Sequence, residues 1–270
     1  MCRLLIMKSG RVFTTLWLLC ILQGISIAQK NSQYNPWFFI QITDPQFGMF
    51  ENNEGFEKET ILYAKVVAEI NKLNPDITVY FTPGNHDVGQ EPDKQSLKKY
   101  ISTYGYEKFA FKHKGSCFIG FNSSLIKSNL QDHEQKQYKW LKKALNKCQE
   151  GTHVVLFCHY PFFIKAYDEP ETYSNLGFEH RERYLSLFEA NGVDAVFSGH
   201  LHNNAVAKHG EIQLVITSAV GKPLSDAPSG LRIVKIYNDR IEHEYYGLDE
   251  IPDSVKFDKN IKTKDSEFNN

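Results

Sequence analysis

Charge of one sign is almost absent as a surplus: 31 Lys and Arg stand against 32 Asp and Glu in 270 residues, a formal charge of -1. Nothing in that balance selects nucleic acid or an anionic membrane as partner, so any affinity for phosphate must be local. Cysteine is scarce, with five in all. Cys2 and Cys20 lie near the N-terminus, and the remaining Cys117, Cys148 and Cys158 are odd in number, so their spacing implies no disulfide framework. Cys117 and Cys148 can pair in an oxidising compartment if the fold brings them together. Cys158 stands inside an apolar run and reads as a small buried hydrophobe rather than a metal ligand. No apolar run reaches the about 20 residues that a membrane-spanning helix needs, and neither a domain-sized repeat nor a low-complexity tract occurs.

A hydrophobic content of 41%, with 13% aromatic, is enough for a substantial core, and one domain over 36–250 is the expectation. Ahead of it come Arg3, Lys8 and Arg11, then an apolar stretch from Val12 to Ile27 broken by Gln23-Gly24, then Ser26-Ile27-Ala28. Basic start, short apolar middle and small residues describe a secretory signal peptide over 1–28, cleaved after Ala28. A secreted or periplasmic protein without a stable membrane anchor follows as the expectation. From Ile251 to Asn270 the chain is charged and polar and reads as a mobile tail.

Four apolar runs organise the interior, and each stops on residues that bind cations or move protons. Trp37 to Thr43 reaches Asp44-Pro45-Gln46, and Ile77 to Phe81 reaches Pro83-Gly84 and then Asn85, His86 and Asp87. His153 to Cys158 reaches His159 before Tyr160-Pro161, and Asp194 to Ser198 reaches Gly199-His200-Leu201-His202. Runs this apolar fit strands covered on both faces. In open α/β sheets the site lies beyond the carboxyl ends of the strands. Taken singly, Gly84 to Gly89 reads as a surface turn and each histidine as core packing. Four such endings at one topological level point instead to a metal site.

Elsewhere, Glu57 to Leu73 has helical spacing and stops at Asn74-Pro75. A loop then a helix is expected over Glu91 to Ser102, helices over Glu134 to Lys147 and Arg181 to Ala190, and a hairpin across Lys114-Gly115. Strands over 213–218, 230–237 and 240–246, with no helix between them, suggest a second, antiparallel sheet.

Asp44-Pro45-Gln46, Gly84-Asn85-His86-Asp87, His159 before Tyr160-Pro161-Phe162, and Gly199-His200-Leu201-His202 resemble four of the five signature blocks of the calcineurin-like metallophosphoesterases. The likeness runs from about Phe38 to Pro252, and Ser218 to Gly221 followed by Ser229 to Arg232 is similar to the branch called calcineurin-like phosphoesterase domain-containing protein. The resemblance implies an α/β fold, a four-layer αββα sandwich of two mixed sheets flanked by helices, and hydrolysis of phosphate esters with two divalent metal ions (manganese, iron or zinc). It puts Asp44, Gln46 and His202 on one metal, and Asn85, His159 and His200 on the other. It makes His86 the acid that protonates the leaving oxygen, with Asp87 orienting its ring. Asn122 begins a formal N-x-S sequon, for which a structural or site-lining role is favoured over glycosylation.

The fifth block is missing. Relatives carry a Gly-Asp pair whose Asp bridges both metals, and no Gly-Asp pair occurs in this chain. Asn74-Pro75-Asp76 instead runs directly toward Asn85, as though one βα unit, about 30 residues, had been removed. Asp76 begins its run and is expected at the wrong end of the sheet. Two cations close together repel, and a shared carboxylate offsets this. The expectation is one retained metal at Asn85, His159 and His200, a weak or empty site at Asp44, Gln46 and His202, and lowered activity on a phosphate-ester substrate. The other reading is a non-catalytic metal- or phosphate-binding module. The loops 47–55 and 166–178 are expected to shape what binds.

Overall fold

The computed structural model describes residues 34–148 and 153–258. The expected signal peptide lies outside them, as does 259–270 of the expected tail. Along the chain run β1 (Trp37–Gln41), α1 (Glu57–Leu73), α2 (Asn85–Val88), α3 (Lys94–Tyr104), β2 (Phe109–His113), β3 (Ser116–Gly120), α4 (Ser123–Lys127), α5 (Gln131–Asn146), β4 (Val154–Phe157), α6 (Phe178–Glu189), β5 (Ala195–Ser198), β6 (Ala205–His209), β7 (Ile212–Ile216), β8 (Gly230–Ile236) and β9 (Ile241–Gly247). They form a three-stranded sheet ordered β1-β8-β9 and a six-stranded sheet ordered β2-β3-β4-β5-β7-β6. In the larger sheet β3, β4, β5 and β7 are parallel, with antiparallel hairpin strands at both edges.

Alternation along the strands separates the faces. Trp37 and Phe39 of β1, with Val234 and Ile236 of β8, pack against Phe118, Val155, Phe197 and Val215 of the larger sheet. The rings of Phe39 and Phe118 meet edge to face, with centroids 5.7 Å apart. On the opposite face of the larger sheet, Ile119, Leu156, Val196 and Leu214 bury Leu141 and Leu145 of α5 and Leu185 and Phe188 of α6. The outer face of the smaller sheet, through Phe38, Leu231 and Ile233, takes Val66 of α1. Helix, sheet, sheet and helix are therefore stacked in the order that the αββα expectation requires.

Several expectations are corrected. The run Ile77 to Phe81 forms no strand. Val79 is 71% exposed, and among its neighbours only Asp76 N–H reaches β1, donating to Phe38 O at 3.2 Å. A strand sequence without a partner ladder cannot satisfy its backbone within a sheet. Tyr80 stacks instead on Phe111, centroids 4.3 Å apart. The strand that a βαβ crossover would set parallel to β1 is not supplied. β1 consequently lies at the edge of a sheet that is wholly antiparallel, not mixed. The expected polar tail also begins later than Ile251, because Ile251, Val255 and Phe257 pack on the outer face of the smaller sheet. β6 and α4 arise where the sequence reading expected neither.

Cys117 and Cys148 are disulfide-bonded, with Cα atoms 5.7 Å apart, and Cys158 is free and buried. Asn122 is fully buried; its side chain accepts from Ser124 N–H at the start of α4, which leaves no room for a glycan. No helix among the described residues is long and apolar enough to cross a membrane.

Candidate metal centre

β4 and β5 are parallel neighbours, so the residues just past their carboxyl ends, His159 and His200, emerge side by side. The turn after β1 brings Asp44 to the same place, and Asn85 opens α2 beside them. Nε2 of His159 lies 2.7 Å from Oδ1 of Asn85 and 3.1 Å from Nδ1 of His200. Oδ1 of Asp44 stands 3.7 Å from Nδ1 of His159 and 3.8 Å from Nε2 of His202. The other carboxylate oxygen of Asp44 accepts the His200 N–H at 2.9 Å, tying the first strand end to the third.

Close packing of these turns dictates their small residues. A Cβ on Gly84 would stand 2.9 Å from the ring of His159, and one on Gly199 would stand 2.5 Å from Oδ2 of Asp44. Asp44, Gln46, His200 and His202 all hold positive φ, at 49°, 28°, 72° and 51°. For residues with a Cβ each such angle costs on the order of 1 kcal/mol. All four are anticipated ligands, although positive φ also occurs at Asn52, Asn53, Asn74, Lys114 and Asn129 away from this spot.

Electrostatics keeps the two central imidazoles neutral. Burial, followed by the neighbouring His159, pushes His200 down to about 4. Burial likewise lowers His159, against the opposing pull of Asp44. The second ring nitrogens are fixed by carbonyls. Nε2–H of His200 donates to Tyr173 O at 3.2 Å, and Nδ1–H of His202 donates to Lys222 O at 2.5 Å. Nδ1 of His200 and Nε2 of His202 are left as lone pairs.

The donor set suits a divalent cation. Ligands about 2.1 Å from one ion at 90–109° stand roughly 3.0–3.4 Å apart; the 3.1 Å separation of His159 from His200 falls in that range, while the 2.7 Å contact of His159 with Asn85 is a direct hydrogen-bond distance that would have to open slightly. Mixed nitrogen and oxygen donors fit manganese, iron or zinc. Among the described residues no group of three or more His, Cys, Asp or Glu makes a metal site by itself; one of the two close contacts of His159 is to Asn85, and Asp44 meets its histidines only at 3.7 and 3.8 Å.

The remaining anticipated residues divide. Gln46 is not in contact with His202; its amide meets Nε2 of His86 at 3.2 Å. His86 is exposed and follows Asn85 directly in α2. The expected grip of Asp87 on His86 is not made: the carboxylate accepts Gly84 N–H at 2.8 Å and caps α2. A first-turn Asp has its own helix start within reach, and that local bond prevails. Asp76 pairs with Lys114 in the β2–β3 turn and with the backbone of Phe38 near the start of β1, the end opposite Asp44. Tyr173 lies in the 166–178 loop expected to shape what binds, without a role assigned to it, and Ser123 was not anticipated at all. Ser123 Oγ accepts from His159 and Tyr160 N–H at 3.0 and 2.7 Å, and Tyr173 touches Asn85 and His200. Ser123 opens the short α4 and Tyr173 lies in a loop, and neither has a regular spacing to the motifs.

The sequence model of the calcineurin-like phosphoesterases matches residues 30–204, and the chain belongs to that family. It is similar to the serine/threonine-protein phosphatase CPPED1 of Rattus norvegicus, 30% identical over 280 residues that take in 85% of this chain and 90% of that protein. A probable cyclic nucleotide phosphodiesterase of a Pseudoalteromonas strain is 27% identical over 169 residues, 59% of this chain and 56% of that one. Among solved structures, a dimetal phosphatase from Danio rerio covers 75% of this chain and 78% of its own at a TM-score of 0.48 and 14% identity. Since 85% of 270 residues is about 230, the 280 aligned positions of the rat relative leave about 50 with no counterpart in this chain. That shortfall is large enough to contain a whole βα unit.

Proposed function

We propose that the chain is a divalent-metal-dependent phosphomonoesterase, weaker than its relatives, with one tight metal position and one loose one. The observation that carries this reading is the meeting of Asn85 Oδ1 and His200 Nδ1 at His159 Nε2. These three would hold the tight ion; Asp44, Gln46 and His202 would offer the loose position. When bound, such ions neutralise phosphate charge and make water a better nucleophile.

The chain's own residues supply the rest. His86, exposed next to Asn85 in sequence, would give its proton to the departing oxygen of the ester. Gln46, whose amide meets the His86 ring at 3.2 Å, limits how far that ring can turn. Strand ends carrying His159 and His200 give a fixed frame, which is most of what phosphoryl transfer asks of a protein. The relatives named serine/threonine-protein phosphatases make phosphoserine or phosphothreonine the first substrates to test.

A second reading, a binding module without turnover, draws support from the missing Gly-Asp block and from the wider spacing of Asp44 and His202. Hydrolysis of an aryl phosphate by the purified chain, with manganese and with chelator, separates the two. Turnover lost in chelator supports the enzyme; a folded, manganese-loaded protein without turnover supports the binding module. Export is part of the same proposal. It rests on the signal-type pattern of 1–28, and the Cys117–Cys148 bond suits an oxidising compartment.

A further inference from the structure

We propose that Tyr173 is the positioning residue of the metal centre, setting the donor atoms of two ligands at once from a loop far from every motif. The inference rests on the metal-centre reading above. Its first half concerns Asn85. An amide side chain has an oxygen and a nitrogen end of nearly equal size, and only its hydrogen bonds decide which end faces inward. Asn85 Nδ2–H donates to Tyr173 Oη at 3.1 Å, which turns Oδ1 toward His159 at 2.7 Å. Its second half concerns His200. The carbonyl of Tyr173 can only accept, so the 3.2 Å contact puts the His200 proton on Nε2 and leaves Nδ1 as a lone pair toward His159. The Tyr173 ring also lies against that imidazole, centroids 4.8 Å apart.

A positioning residue must itself be held, and this one is, although its side chain is 53% exposed. The carboxylate of Glu169 accepts N–H groups of Ile164, Lys165 and Ala166 at 2.8, 2.9 and 3.2 Å, closing the start of the loop. Arg181, fully buried, donates to the carbonyls of Phe162, Leu176 and Tyr167 at 2.9, 2.8 and 2.8 Å. Lys127 reaches the carbonyls of Thr172 and Asn175 on either side of Tyr173, at 2.6 and 2.8 Å. The segment is thereby pinned from beneath and from both flanks, and Tyr173 projects from it as a fixed arm.

The test is manganese affinity, read by competition with a chelator, in a double-mutant cycle. Partners that orient a metal ligand are worth about 10–100-fold in affinity. Tyr173→Phe keeps the ring and the carbonyl but removes the acceptor for Asn85, and affinity should fall by that factor while the unfolding temperature in chelator is unchanged. In the Asn85→Asp background both ends of the side chain are oxygens, so Tyr173→Phe should then cost little. A wild-type chain that binds manganese together with a Tyr173→Phe variant that binds it equally well overturns this inference alone. Equal losses in both backgrounds overturn the amide-orientation mechanism. A wild-type chain that binds no manganese overturns the metal-centre reading beneath it.

Discussion

His159 Nε2 and Asn85 Oδ1 stand 2.7 Å apart although 74 residues separate them in sequence. His200 Nδ1 lies 3.1 Å from the same His159 nitrogen, whereas Asp44 Oδ1 stands 3.8 Å from His202 Nε2. One group of donors is drawn together and the other is spread.

His86 is exposed and takes no part in the His159 contacts with Asn85 and His200, so its loss should separate turnover from metal binding. His86→Ala is expected to lower hydrolysis of an aryl phosphate by about 10²–10⁴-fold, the usual contribution of a general acid, with manganese content unchanged. Loss of metal along with activity would assign His86 to binding instead.

Gly199 is where Asp44 and His200 approach most closely. In Gly199→Ala the new methyl group would lie 2.5 Å from Asp44 Oδ2, which already accepts the His200 N–H. Overpacking of this kind costs about 1–3 kcal/mol. A fall of several degrees in Tm is expected, and an unchanged Tm would show that the turn has room to relax.

Acid should destabilise the metal-free protein in a definite window. Burial, then the guanidinium of Arg232 at 3.0 Å, pushes His243 down to about 4, whereas an unfolded histidine titrates near 6.5. The unfolded chain therefore binds the extra proton first. Stability is fully present above about 6.5 and drains away as pH falls toward 4. His200 and His159 are lowered too and act in the same direction. His243→Gln should make denaturation in chelator less steeply pH-dependent between those limits, and an identical slope would contradict the assignment.

The Cys117–Cys148 bond closes a loop of 31 residues and ties β3 to the end of α5. Cys148→Ser is expected to cost about 2–4 kcal/mol in denaturant unfolding. The wild-type chain under reductant should lose a similar amount. No change in either would mean that the packing around Cys148 suffices without the bond.

Much of the fold could be read in advance where a pattern is long and regular. Glu57 to Leu73 and the strands ending before Asp44, His159 and His200 were legible from periodicity and from apolar runs closed by donor residues. Ile77 to Phe81 misled because strand propensity is satisfied only by a neighbour, and here the neighbour is missing. Asp87 misled for the opposite reason: a local cap at Gly84 outcompeted a side-chain partner. The contacts of Tyr173, in a loop expected only to shape what binds, and of Ser123, at the start of α4, follow from tertiary geometry that no spacing rule encodes. β6, at the sheet edge, carries Ala205, Ala207 and Lys208 and alternates between half-buried and exposed, too weak a pattern to register.

The account stands most directly on the number of manganese ions that the purified chain holds tightly at equilibrium. One per chain, lost in His159→Ala and retained in His202→Ala, is the predicted result. Two tightly held ions per chain, or one that His202→Ala releases and His159→Ala does not, would contradict it.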